Sequence, residues 1–451
     1  MQALVHFLVK FPDLVIAGGD PVEQARVTSD KGLEAGTIAG LKANALHLRP
    51  FTFERGKRDH WLYLASDNRI GAKISNFYRE HRSQKAAYAQ TAARAAKNPN
   101  RGAVFVNQRT AAAAAAKYYP ITTPIITHVP DHGKPHVNWF NLQRLRHPDS
   151  RDIVLVSNEE MYDFVKGYGV PEERIRISGY PVRREFEEVR AIPKHVLREK
   201  FKIPEGKVVV PIVSGGGRWN PDVAGRLKAL ATTRDPRAKD RHVVVVTGGD
   251  RKLIEQVHKV LDEGVPSGIS IHVMEDRLDA REMAEVLRVG DLDSIKGGGG
   301  AYGETNAVGT VALLYYALSG IEEKNIDNAK VRGTAIVARS KTDFVEAVLD
   351  FKLEDAEKYL REQEKLIING SAKWIAQLLH SVVRGEPEPA PPVPLSHYVQ
   401  EPSAEGSVAE ERVTEVVGET SPAPVSSAGV LGDDLAAVPP RRSQTWPRSG
   451  G

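Results

Sequence analysis

Short runs dominated by apolar residues recur along most of this chain. They include AVFVN at Ala103–Asn107, PIITHVPD at Pro124–Asp131, DIVLVSN at Asp152–Asn158 and RIRISGYPV at Arg174–Val182. The second half continues with KVVVPIVSGGG at Lys207–Gly217, RHVVVVTGGD at Arg241–Asp250, ISIHVM at Ile269–Met274 and GTAIVA at Gly333–Ala338. A strand with one wet face alternates apolar and polar residues. A continuous apolar run is buried on both faces, which calls for a parallel sheet covered by helices. Helical stretches alternate with the runs, among them an alanine-rich segment ending near Lys117. The expected fold class is therefore α/β, two doubly wound domains with a seam near Arg183–Pro204. Three of the strands run into glycines at their carboxyl ends, where sheets of this kind bind nucleotides.

The stretch Asp291–Asn325, DLDSIKGGGGAYGETNAVGTVALLYYALSGIEEKN, carries the clearest chemistry. A strand candidate ending at Ile295 meets Lys296 and four glycines, Gly297, Gly298, Gly299 and Gly300, and a helix candidate follows. Glycines let the backbone approach an anion closely, the helix start adds partial positive charge, and Lys296 adds a full one. The spacing predicts a phosphate cradle; a plain flexible linker is the other reading. Glu304 and Glu322 lie beyond it, either as surface charges or as acceptors for sugar hydroxyls.

With 451 residues, 41% of them hydrophobic, the chain can build two cores. It has no cysteine, which excludes disulfides, thiolate metal sites and a cysteine nucleophile and fits a reducing compartment. A net charge of +4 is too small to argue for nucleic acid but suits an anionic substrate or lipid surface. The most apolar candidate span, Ala3–Gly19, is interrupted by His6, Lys10, Pro12 and Asp13, so neither a spanning helix nor a secretory signal is expected. The expected setting is cytoplasmic, with peripheral attachment to an anionic membrane. Two strand-then-glycine openings compete near the start, Leu14–Asp20 and Gln24–Thr37, and the second is favoured because a helix candidate, Thr37–Leu46, follows it. Residues Leu46–Leu64 interleave Arg49, Arg55, Lys57 and Arg58 with Phe51, Phe53, Trp61 and Tyr63. That mixture suits a membrane interface or an ordinary loop and strand. A long helix is expected within Ala356–Val383, and from Glu386 onward Pro, Ser, Glu and Val dominate without periodicity, as in a disordered tail.

Taken together, these blocks resemble the glycosyltransferase family that contains monogalactosyldiacylglycerol synthases, processive diacylglycerol glucosyltransferases and the peptidoglycan N-acetylglucosaminyltransferase. GVPEERIRISGYPVRREF is similar to the family's segment joining two domains, with Gly179, Pro181, Val182, Arg183 and Phe186 on its pattern. SGGGRW, with Gly215, Gly216 and Gly217, and TGGDRKL, with Gly248, resemble its glycine loops; REMAEVLRVGDLDSIKGGGGAYGE resembles its donor block. The resemblance implies a GT-B fold of two Rossmann-like domains facing across a cleft: residues 1–185 on the acceptor side, 186–385 with the C-terminal helix on the nucleotide-sugar side, and 386–451 as tail. It implies a UDP-sugar donor held by the glycine loops, Lys296, Glu304 at the ribose, and Glu322 and Asn325 at the sugar. It further implies inverting transfer of a hexose to a lipid hydroxyl, diacylglycerol-like, with no cofactor and no obligatory metal.

DHGKPHVNWF at Asp131–Phe140 resembles the family's acceptor-side block, an Asp, a His five residues on, and Trp-Phe. Taking the acceptor's proton needs a base, and the resemblance assigns Asp131 with His136 as partner; a turn-capping Asp131 and a packed His136 are the bland alternative. His128, His132 and His136 also raise a metal reading, which Pro130 and Pro135 oppose by breaking any helix that would align them. The pattern departs from the family in three places. KGLEAGT at Lys31–Thr37 lacks the usual histidine, four glycines replace a glycine-proline-glycine turn, and Val311 replaces a proline. A non-catalytic UDP-sugar-binding protein and a sugar-nucleotide epimerase remain the alternatives to a transferase.

Overall fold

Alternation within each apolar run decides which face a residue covers, and the computed structural model shows both faces in use. It describes residues 15–17, 91–92, 95–96, 102–107, 109–214, 222–316 and 321–392. The first sheet has the order β1 (Val15–Ala17), β2 (Val104–Val106), β3 (Ile125–His128), β4 (Ile153–Val156) and β5 (Ile175–Ile177), parallel throughout. Val104, Val106, Val154 and Val156 pack on the helices Arg109–Tyr118 and Glu159–Gly167 through Ala112, Ala115, Met161 and Val165. Their neighbours Phe105, Ile126, Ile153 and Leu155 point the other way, into a second cluster with Trp374, Ile375, Leu378, Leu379 and Val382. Burying each such side chain is worth about 1.5–3 kcal/mol.

The second sheet runs in the order β11 (Ala335–Val337), β10 (Val311–Tyr316), β9 (Leu292–Lys296), β6 (Val208–Val213), β7 (Arg241–Val246) and β8 (Ser270–Met274), again all parallel. The chain starts in the middle, builds outward to β8, then returns to start again at β9. That reversal between β6 and β9 is the switch point of a doubly wound sheet, where the loops on either side part to leave a crevice. Val208, Val210, Ile212, Val243 and Val245 face one helical layer, whereas Val209, Val244 and Val246 face Phe186, Val189, Ala284 and Leu287. The two parallel α/β layers are of the expected class. Among the described strands of the first sheet, spatial order follows chain order and shows no such reversal.

Four details differ from expectation. The strand near the start, β1, falls in the first of the two candidate openings; the favoured second one lies outside the described residues. Instead of one long C-terminal helix there are two, Ala356–Glu364 and Ser371–Arg384, because Gly370 (φ 73°) takes the left-handed conformation that β-carbon sterics discourage for other residues. The last helix, grouped by sequence position with the second sheet, packs on the first. Arg151 donates to the Val382 carbonyl at 3.1 Å. Beyond its Gly385 cap, Glu388 pairs with Arg176 of β5 at 2.7 Å and the Trp374 indole donates to the Ala390 carbonyl at 2.7 Å. Residues 386–392, expected to open the tail, are thus held against the fold; 393–451 lie outside the described residues. The boundaries at 185 and 385 stand as a proposal.

One buried charge breaks the pattern of the second core. Helix Val223–Thr232 turns Val223, Leu227, Leu230 and Ala231 inward, and Arg226 shares that stripe, with no exposed surface. Its guanidinium donates to Ser294 and lies 4.6 Å from the Tyr315 ring centre and 5.4 Å from that of Phe344. Among the described residues Nε and Nη2 have no acceptor, and burial lowers the pKa to about 10. Ring contacts contribute about 0.5–2 kcal/mol, whereas each buried donor without a partner costs about 1–3 kcal/mol. Arg226→Met is therefore expected to raise stability by about 1–3 kcal/mol, read as a higher urea midpoint at unchanged slope. A lower midpoint would mean that the ring stacking and the Ser294 bond outweigh the two empty donors.

Candidate active site between the two sheets

Both sheets belong to one compact unit, and the carboxyl end of β3 meets the carboxyl end of β9. At β9 the chain passes from Lys296 through Gly297 into helix Gly299–Val308, with Gly298 as its N-cap and no acidic residue in its first turn. The Lys296 ammonium pairs with Glu322 at 2.9 Å, and both side chains are mostly buried. A β-carbon on Gly298 would lie 2.8 Å from the Glu322 carboxylate, so glycine there lets a negative group approach the helix start. The cradle predicted for phosphate thus holds one internal carboxylate. Glu304 is paired too: Arg183 donates to it at 2.9 and 3.0 Å. Burial raises the Glu304 pKa, against the pull of Arg183.

The glycine tract also carries contact with the first half. A β-carbon on Gly299 would collide with the Pro130 carbonyl and approach Tyr180 to 3.2 Å; one on Gly303 would lie 2.6 Å from the Tyr180 ring. The tyrosine ring therefore rests on bare helix backbone. His132 stacks on Tyr180 (centroids 5.0 Å apart, 23° between planes) and meets Tyr302 edge-on at 5.1 Å. Its Nε2 is 3.3 Å from the Gly299 carbonyl, as a donor in the tautomer that protonates this nitrogen. Burial lowers the His132 pKa to about 4 and that of His128 to about 3, so both are neutral at pH 7. Among the described residues no cluster of His, Asp and Glu could hold a metal ion.

Asp131 follows β3 by three residues, half-buried, its carbonyl accepting from the Ser157 hydroxyl at 2.9 Å. Burial raises its pKa to about 6; Arg109, a hydrogen bond from Asn325 and Lys324 oppose the shift, and Glu322 adds to it. A carboxyl group poised there can accept a proton near neutral pH. His136 is buried within the first half, its carbonyl accepting from the Trp139 N–H at 3.1 Å. Asn325 lies wholly buried beside Asp131: its side-chain oxygen accepts from the His132 and Gly133 amides at 2.9 and 3.0 Å, and its nitrogen donates to the Gly297 carbonyl at 3.2 Å.

The structure thus brings together Asp131, Lys296, Gly297–Gly300, Glu322 and Asn325. Gly248 lies apart at the carboxyl end of β7, separated from β9 by β6. The helix after it is already capped, since Asp250 accepts from Lys252 and Leu253. Gly215, Gly216 and Gly217 lie outside the described residues. Tyr180 and His132 were not assigned to the site from sequence. Only the isolated tyrosine in the SGYPVRREF joint hints at the first, and the second is marked only as one of three spaced histidines read for a metal.

No family model matches the chain. It is 25% identical over 228 residues to the processive diacylglycerol β-glucosyltransferase of Bacillus licheniformis, covering 51% of this chain and 56% of that protein. The enzyme of the same name from Bacillus cereus is 26% identical over 215 residues, 48% of this chain and 52% of that one. The chain spans about half the length of the curated relatives it matches. Among solved structures, MurG of Acinetobacter baumannii is 14% identical with a TM-score of 0.46, covering 66% of this chain and 78% of the other. Over the stretch they share, the chain is similar in sequence to the processive diacylglycerol β-glucosyltransferases, the group its motifs resemble.

Proposed function

We propose that the protein is a UDP-sugar-dependent, GT-B-type hexosyltransferase that transfers its sugar with inversion to a lipid hydroxyl of the diacylglycerol kind, in glycolipid biosynthesis. The observation that carries this reading is a carboxyl group with its pKa raised to about 6, Asp131, beside a glycine turn, a lysine and a helix start that favour anions. In the reaction the acceptor oxygen attacks the anomeric carbon, the bond from that carbon to the donor's phosphate oxygen breaks, and UDP leaves with the electron pair. Asp131 takes the acceptor's proton, with His136 as its partner. Charge developing on the diphosphate is met by Lys296, by the amides around Gly297–Gly300 and, from the other loops, by Gly215–Gly217 and Gly248. The diphosphate replaces Glu322 at Lys296, which frees that carboxylate for the sugar; Glu304 serves the ribose.

The acceptor reaches the first half from an anionic membrane surface. The residues suggested for that contact, 49–63, lie outside the described residues, as does the altered glycine turn at 31–37. Among the described residues no helix is long and apolar enough to cross a membrane. Incubation with several UDP-sugars and diacylglycerol-containing vesicles is expected to release UDP and form a new glycolipid. Binding of UDP without turnover would leave only a sugar-nucleotide-binding protein, and change in the donor alone would make it an epimerase. In calorimetry, Glu304→Ala is expected to weaken UDP binding about ten- to a hundredfold, the worth of one hydrogen bond to a charged group. Tight binding of NAD with none of UDP would replace this reading altogether.

A further inference from the structure

Each half contributes one side of the site, so something must set their relative position. Helix Ile321–Arg332 belongs to the second sheet's layer, and Asn325 projects from it to the turn after β3. An amide side chain has two acceptor and two donor positions. Here the oxygen takes the N–H groups of His132 and Gly133, and the nitrogen gives one hydrogen to the Gly297 carbonyl; hydrogen bonding from Asn325 also opposes the upward shift of the Asp131 pKa. Only one orientation of the amide satisfies two backbone donors and a backbone carbonyl, so the assignment is fixed by its partners. The turn presses directly on the helix, since a β-carbon on Gly133 would strike the Lys324 carbonyl. Asn325 has no exposed surface, and its amide is bonded to the backbone of both turns.

We infer that Asn325 is a positioning residue which clasps the Asp131 turn to the Gly297 turn, holding the acceptor-side base at a set distance from the donor's phosphate site. This rests on the proposed transferase reading and changes one part of it: the residue assigned to the donor sugar acts through Asp131 and the backbone. Asn325→Asp keeps the acceptor for the two amides but removes the donors and adds charge, and Asn325→Ser removes the amide with no added charge. The groups that face Asp131 remain in both: Arg109 from its helix, Glu322 and Lys324 from the helix of Asn325, and Tyr180, while His132 beside it is neutral.

The first measurement needs no turnover. With aspartate carboxyls labelled by ¹³C and the Asp131 resonance identified by its loss in Asp131→Asn, the Asp131 midpoint is expected to rise from about 6 in both variants, more in Asn325→Asp. The second uses UDP-glucose and diacylglycerol vesicles. In both variants kcat is expected to fall on the order of 10²-fold, as for a misplaced reacting group, with KM for UDP-glucose unchanged and the acidic limb of kcat/KM following the resonance. An unmoved Asp131 midpoint in both variants overturns the clasp. So does a loss confined to the KM for UDP-glucose, which would return Asn325 to the donor sugar. If instead Asp131→Asn retains wild-type turnover, the base assignment fails, while the titration still decides the clasp.

Discussion

Asp131→Asn is expected to lower the proposed transfer from a UDP-sugar to a lipid hydroxyl by about 10²- to 10⁴-fold, with UDP affinity nearly unchanged. The substitution keeps the shape of the side chain and its bond with Asn325 but removes the basic oxygen. Of the groups gathered between the two sheets, Asp131 is suited to accept a proton at neutral pH. Glu322 is tied to Lys296 and Glu304 to Arg183, and His132, although neutral, has Nε2 turned to the Gly299 carbonyl. His136→Ala is expected to cost less. Near wild-type turnover in Asp131→Asn would move the base elsewhere, with Glu34 in the altered glycine turn the next residue to replace.

The same carboxyl group sets a pH dependence with a definite sign. A base must be ionised to act, so kcat/KM should rise as pH increases through about 6 and level off above it. Folding feels the opposite effect. Because burial raises the folded pKa from 3.8 to about 6, the ionised form is disfavoured in the native state, and stability declines as pH rises across that interval. Asp131→Asn should lose activity and gain stability above pH 6, a combination expected of a group kept for chemistry rather than for folding.

Strands proved legible because burial on two faces leaves its mark locally: RHVVVV and KVVVPIV can hardly be anything other than central strands, and they pair as β6 and β7 in full register. The glycine turn between strand and helix was legible for a similar reason, since strand, lysine, glycines and helix follow one another directly. What distance in sequence hides is different in kind. Asn325 and His132 are 193 positions apart, and their bond has no periodic signature. The last helix has the same amphipathic pattern whichever sheet it covers, so only packing reveals that Trp374 and Leu378 complete the first core. The four glycines invited two explanations, a phosphate cradle or a flexible linker, whereas Gly299, and Gly303 beyond the four, make room for Pro130 and the Tyr180 ring. A glycine records that something comes close, and its chemistry does not say what.

Arg144→Met is expected to destabilise the protein by about 3–5 kcal/mol, the cost of leaving one member of a buried pair alone. Arg144 and Asp152 are 2.7 Å apart, with only 5% and 6% of their side chains exposed. The guanidinium also donates to the Tyr119 carbonyl at 2.9 Å and to that of Thr123, and Asp152 accepts from the Ile125 amide at 2.9 Å. The pair thereby fixes where β3 begins and, through it, where Asp131 comes out at the other end of the strand. Burial raises the Asp152 pKa even with Arg144 opposing it, and without the arginine the rise must be larger. A raised folded pKa means a penalty that grows as pH climbs above the unfolded carboxylate value, so the loss measured by urea unfolding should be greater at pH 8 than at pH 5. Arg144→Met with Asp152→Leu should recover much of it, because replacing both members of a buried pair by apolar groups removes the stranded charge. If the single variant unfolded at the wild-type midpoint at both pH values, the pair would have no part in holding the β3 start.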